Sequence, residues 1–312
     1  MSGTTTMAPP APEKTPDHSD RARAENALGR RLVAPAVIVM LFVTAYPMLQ
    51  ALYQSLFRYR LTTPDDRAFI GIDNYVTIFT DSLFWQDMWN TVFIMVVTVA
   101  FELVIGFAFA MVMHRIIFAR GVMRTSILIP YGIITVVSAF AWQFAFSLNN
   151  GFVNSWLPFV DADYNWFGGH WSAMFAICVS EIWKTTPFMS LLLLAGLSQI
   201  SEDTLEAAKV DGATWWQRLY KVILPNMKAA IMVAVLFRAL DAYRVFDNIY
   251  IMTGGSQDTE SVSFLTYDQV ISQFQIGLGS ALSVVLFLSV LLLAYLIVKL
   301  FRVDLASARQ ES

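Results

Sequence analysis

The residues with chemical potential in this chain are acids and bases set inside apolar runs. Glu102 interrupts one run, and Glu181 and Lys184 interrupt another at a spacing of three. Arg238, Asp241, Arg244 and Asp247 alternate in sign, again at intervals of three. Neighbours three apart on a helix can pair, but each step of three turns the face by about −60°. The ladder therefore winds around a helix. Charges at membrane depth face a bundle interior or a water-filled cavity and tend to mark transport paths. A structural ion-pair ladder is the plainer reading of 238–247. Glu102, standing alone, reads as a protonated, hydrogen-bonded packing residue. Trp142, Gln143, Trp183, Lys184, Arg238, Asp241 and Tyr243 combine apolar faces with hydrogen-bonding groups, so they are the substrate-path candidates. Trp85, Trp89, Trp166 and Trp171 read as packing or interfacial anchors.

Other chemistries lack their residues. His18, His114 and His170 are scattered, and no H-E-x-x-H pattern occurs, so neither a metal centre nor a catalytic set is expected. The single cysteine, Cys178, excludes an intrachain disulfide and reads as a small buried apolar residue. No G-x-x-x-x-G-K-[ST] phosphate loop is present, so any coupling to ATP must use a partner's site.

Membrane helices must position these residues. Of 312 residues, 56% are hydrophobic and only 14% charged, against roughly 25% charged in soluble domains. About 20 apolar residues cross a bilayer as a helix. On that rule, spans fall at about 32–53, 90–113, 126–146, 171–196, 229–250 and 282–300. The fifth is weak in hydropathy, because it contains the charge ladder. Topology requires it. Lys and Arg concentrate on the cytoplasmic side. They cluster in the N-terminal tail, at Arg115–Arg124, at Lys209–Lys228 and after Lys299, while the opposite loops hold only Arg58, Arg60 and Arg67. Segments 197–228 and 299–312 then share a side, so two crossings separate them. The expected fold is all-α and integral to the membrane, with six transmembrane helices and both termini cytoplasmic.

Residues 1–31, with Pro9, Pro10, Pro12 and Pro16 followed by arginines, read as a disordered, basic cytoplasmic tail. The six-helix transmembrane body covers 32–301, and 302–312 is a cytoplasmic C-terminal tail. The external stretch Val262–Phe274 reads as a surface helix or re-entrant piece. The internal loop 201–225 reads as two short helices. Ser201 or Asp203 caps the first, Gly212 supplies a positive φ beyond its end, and Pro225 ends the second. Ala207 and Ala208 allow close approach of another surface, and Glu206 offers it a charge.

The stretch 206–225, EAAKVDGATWWQRLYKVILP, resembles the cytoplasmic coupling loop of ABC-importer permeases. Glu206, Ala207, Ala208, Asp211, Gly212, Ala213 and Leu224-Pro225 fit the family pattern, with Val222 where Ile is usual. Ile182-Trp183-Lys184, Pro187-Phe188, Leu194 to Leu197, Arg238 to Asp247 and Thr253-Gly254-Gly255 resemble its sugar branch, which includes maltose and trehalose permeases. The chain departs from the pattern after Gly255, where Ser256 and Gln257 replace a usual Gly and Pro.

The resemblance implies a multi-pass permease of the plasma membrane that imports trehalose, or another di- or oligosaccharide, by alternating access. It implies a second permease, an ATPase dimer that carries ATP and Mg, and an extracytoplasmic sugar-binding lipoprotein. No cofactor is expected on this chain, and nucleic acid is not an expected partner. A secondary transporter is the alternative. It would show internal repeats, and none is evident between 32–146 and 171–301.

Overall fold

The structure, a computed structural model, describes residues 18–116 and 120–301. Met1–Ala51 and Leu52–Ser312 form two separate units. The first consists of most of α1, His18–Gln54, a helix with Pro35 and Pro47 inside it. The helix starts well before Leu32. Ala, Arg, Glu and Leu between positions 21 and 32 are good helix formers and extend a helix already nucleated by the apolar run. The rest of the tail expected to be disordered, residues 1–17, lies outside the described residues, as does the segment 302–312.

The second unit opens with a two-stranded hairpin, β1 (Phe57–Arg58) and β2 (Ala68–Phe69), followed by α2 (Asp73–Thr80). Then comes α3 (Ser82–Arg115), capped by the Asp81 side chain, which accepts from Leu83 N at 3.0 Å. After it run α4 (Arg120–Gly132), α5 (Thr135–Ala145), the short α6 (Val153–Trp156) and α7 (His170–Leu197). The internal loop holds α8 (Glu202–Val210) and α9 (Trp215–Arg218), then a π-helical turn at Leu219–Ile223 and α10 (Leu224–Asn226). The chain closes with α11 (Lys228–Ala242), α12 (Asp247–Met252), α13 (Val262–Tyr267) and α14 (Ile276–Phe301).

Among the described residues, four helices are each long and apolar enough to cross a membrane: Glu25–Gln54, α3, α7 and α14. Two bent pairs supply the remaining two spans if each pair counts as one. The expected third span is broken: α4 and α5 meet at 85°. Pro130 lacks an N–H and clashes with the turn before it, and Ile134, extended at ψ 135°, ends the helical path. The fifth span is shorter than expected. α11 stops at Ala242, and the chain turns through 243–246 before α12. The freed Val245 carbonyl accepts from Ser261 Oγ at 2.8 Å, so the break is satisfied internally. The ladder 238–247 therefore does not lie on one helix. Val262–Phe274 is helical through α13 and a π turn, and its buried Val262, Phe264 and Leu265 make it part of the core.

The core centres on α3 against α7, with α11 packed on both. Ile94, Met174, Ile177 and Ile249 fill one half, and Met189, Leu193, Met227 and Ala234 fill the other. A Cβ on Gly196 would lie 2.3 Å from Ala230 Cβ, so only glycine lets α7 and α11 approach this closely.

Candidate functional site

The centre of the bundle is built around one arginine. Arg238, on α11, is fully buried. Its Nε donates to Glu102 Oε2 at 2.6 Å and its Nη2 to Glu102 Oε1 at 2.9 Å, a bidentate pair between α11 and α3. Nη2 also lies 3.0 Å from Thr185 Oγ1 and 3.4 Å from Glu181 Oε1, both on α7. Nη1 donates to Asp241, one turn further along α11. Glu181 is held from its other side by Asn248 Nδ2 of α12, at 2.5 Å. Thr185 Oγ1 bridges to Glu102 Oε1 at 2.7 Å. One cation thus gathers carboxylates from three helices. Glu102 is not the isolated packing residue expected from the sequence. It is the principal partner of Arg238, because a buried guanidinium requires a bidentate acceptor.

Beside this cluster opens a polar cleft of about 440 Å³, walled by Tyr131 and Thr135 at the α4–α5 bend and by Glu181, Lys184, Asp241, Arg244, Asp247 and Asn248. The Lys184 ammonium sits 5.6 Å from the Tyr131 ring centroid. Asn248 Oδ1 is buried and unpaired. The cleft offers donors and acceptors and charges of both signs.

The structure divides the predicted path residues. Lys184 and Asp241 line the cleft, and Arg238 stands directly behind it. Trp142 and Trp183 meet edge to face at 5.8 Å and wall two apolar cavities of about 730 and 590 Å³. Gln143 points elsewhere, donating to the Ile251 carbonyl at 2.8 Å. Tyr243 is buried, with its hydroxyl 3.1 Å from Met88 Sδ. Thr185, Asn248, Tyr131 and Thr135 were not predicted. Hydroxyl and amide side chains in apolar runs carry no hydropathy signal strong enough to single them out.

The residues of the internal loop 201–225 form a second group. Ser201 Oγ accepts from Thr204 N and caps α8, which buries none of its residues. Glu206 and Ala207 are exposed, Ala208 is half-buried, and Val210 is 87% exposed. Asp211 ends the helix, and Gly212 turns the chain at φ +76°. Ala213 N then donates to the Ala208 carbonyl at 3.0 Å. That left-handed turn needs a residue without Cβ. Thr214 and Gln217 form a reciprocal capping box that starts α9. Glu202, Leu205, Glu206 and Lys209 face a cavity of about 310 Å³, closed by His114 and Arg115 of α3 and by Arg218. Among the described residues, no group of three His, Cys, Asp or Glu side chains could hold a metal ion.

Comparison with known proteins gives a consistent picture. Residues 31–303 match the family described as binding-protein-dependent transport system inner membrane component. The chain is 50% identical over 278 residues to the trehalose transport system permease protein SugA of Mycobacterium tuberculosis, covering 89% of this chain and 90% of that one. It is 37% identical over 285 residues to the trehalose/maltose transport system permease protein MalF of Thermococcus litoralis, covering 90% and 96%. Among solved structures, a bacterial ABC transporter that imports the acidic polysaccharide alginate superposes with a TM-score of 0.77 at 21% identity, over 92% of this chain and 99% of that one. At that identity the likeness concerns the fold.

Proposed function

The chain belongs to the family of binding-protein-dependent transport system inner membrane components, and from that premise we propose that it is the permease subunit of an ATP-driven trehalose importer. The observation that carries the sugar is the 50% identity, over nearly the whole chain, to a trehalose permease. The cleft beside Arg238 supports it: its charges are of both signs, and about 440 Å³ accommodates a disaccharide in part or whole. Sugar hydroxyls would donate to Asp241 and Asp247, and accept from Lys184 and Arg244.

The chain is a transport subunit and catalyses no reaction of its own. Energy enters at α8. In this reading Glu206 pairs with a basic group of an ATPase subunit, and Ala207, Ala208 and exposed Val210 seat α8 in its cleft. ATP and Mg sit on the ATPase dimer. A second permease completes the pathway, and an extracytoplasmic sugar-binding lipoprotein delivers the substrate. Both termini, 1–31 and 302–312, lie in the cytoplasm.

The test is gentle purification of the tagged chain from its native membrane, followed by mass spectrometry and an ATPase assay. An ATPase, a second permease and a sugar-binding lipoprotein are expected, with hydrolysis stimulated by trehalose. Lys184→Ala combined with Asp241→Ala is expected to abolish the stimulation while the complex still assembles. Stimulation by a different di- or oligosaccharide and not by trehalose would reassign the sugar. A chain that purifies alone and transports without ATP would make it a secondary transporter.

A further inference from the structure

Asp87 lies in the second turn of α3, at the opposite end from the coupling loop. It is 1% exposed, and neither carboxylate oxygen has a hydrogen-bond partner. One turn on, Asn90 is fully buried. Its amide nitrogen donates to the Asp258 carbonyl at 2.7 Å and to the Glu260 carbonyl at 2.9 Å. Those bonds fix the orientation of the amide, since turning it over would set its oxygen against two carbonyls. Asn90 Oδ1 is therefore also without a partner. Positions 87 and 90 share one helix face. The nearby Thr91 hydroxyl is already used: it donates to the Asp87 carbonyl at 2.7 Å and accepts from Val262 N at 3.0 Å. Glu260, Asp81 and Asp258 add negative potential around Asp87. A buried carboxylate in such surroundings, with no donor, is strongly disfavoured unless a proton or another positive guest joins it.

We propose that Asp87 and Asn90 hold a hard inorganic cation, which ties the start of α3 to the segment 258–262 ahead of α13. The free groups are all oxygens, the donor set of hard ions. Among the described residues no three acidic, histidine or cysteine side chains are placed to hold a metal ion together, so the ion has one carboxylate, one amide oxygen, and main-chain or water oxygens. Low ligand charge makes the site weak, in the regime of roughly 10⁻⁴–10⁻³ M known for extracellular calcium modules. Such a site fills only where the ion is plentiful. The outer end of α3 meets that condition under the proposed topology, on which the side of the site, though not its chemistry, rests.

The experiment uses the purified importer complex at pH 7 and constant ionic strength, with calcium, magnesium or sodium chloride as the added ion. Saturating calcium is expected to raise the unfolding midpoint by roughly 3–5 °C, and Asp87→Asn to abolish the rise. Sodium acting in place of calcium would equally support a hard-cation site. A second readout needs no variant. Terbium bound at Asp87 lies within two residues of Trp85 and Trp89 in the chain, so tryptophan-sensitised terbium emission, displaced by calcium, is expected. No midpoint shift with any ion and no displaceable emission would overturn the proposal. So would an Asp87→Asn variant more stable than the parent while both ignore ions, because a proton would then be the guest. Neither result bears on trehalose-stimulated hydrolysis, so this inference can fail independently of the transport reading.

Discussion

At the scale of single residues, Arg238 decides the most. Its guanidinium serves Glu102, Thr185, Glu181 and Asp241 at once. Removing one side of a buried ion pair leaves the other side charged and unpaired, at a cost of about 3–5 kcal/mol. Arg238→Met is therefore expected to lower the thermal unfolding midpoint of the purified subunit sharply. Arg238→Met with Glu102→Leu is expected to recover much of that loss, since an apolar pair of similar volume replaces the ions without stranding a charge. A double variant no better than the single one would show that Glu102 is not the principal partner. The sequence made these charges visible, because each stands in an apolar run. It could not show their pairing. Arg238 and Glu102 are 136 positions apart, and no helical spacing connects residues on different helices. The i, i+3 pattern was correct for Arg238 with Asp241. It misled at Glu181 and Lys184, where Glu181 turns to Arg238 and Asn248 and Lys184 faces the cleft beside Tyr131.

At the scale of elements, the helices of the internal loop were legible to within a residue or two, because their signals are local. Ser201 caps α8, Gly212 ends it, and Thr214 starts α9. Gly212 gives the sharpest prediction. At φ +76° a β-branched side chain is strained by about 1–2 kcal/mol. Gly212→Val is expected to abolish trehalose uptake while the subunit remains in the membrane at normal abundance. Gly212→Asn is expected to retain uptake, since asparagine tolerates the left-handed region. Normal uptake by the valine variant would remove the turn from the coupling role. Apart from the fifth, which rested on loop charge, the candidate spans were legible from length and hydropathy, but their breaks were not. Pro130 announces a weak point, yet an 85° bend at 132–135 depends on what α4 and α5 pack against. The early end of α11 depends on Ser261, far along the chain, which binds the Val245 carbonyl.

At the scale of the whole molecule, the proposed six-span topology would put α8 inside and the 253–261 segment outside. Both expose positions suited to labelling: Val210 is 87% exposed, and Gln257 is exposed in the external loop. In a Cys178→Ser background, Gln257→Cys is expected to react with an impermeant maleimide in intact cells. Val210→Cys is expected to react only after the membrane is opened. Reaction of both in intact cells would overturn the crossing count. The parity argument from Lys and Arg leads to six crossings although the fifth span is weak in hydropathy, because loop charge is a property of the whole chain and survives a local interruption.

Helix α7 runs unbroken from His170 to Leu197, and its ties to Arg238 fall at Glu181 and Thr185, near its middle. From there each end is about 20 Å away, at 1.5 Å per residue. A beam pinned at its midpoint is a see-saw with equal arms. Displacement applied where α7 leads into α8 would return at His170 with the same amplitude and opposite sense. Narrowing the mouth on one side of the membrane would then widen the mouth on the other, with no gearing between them.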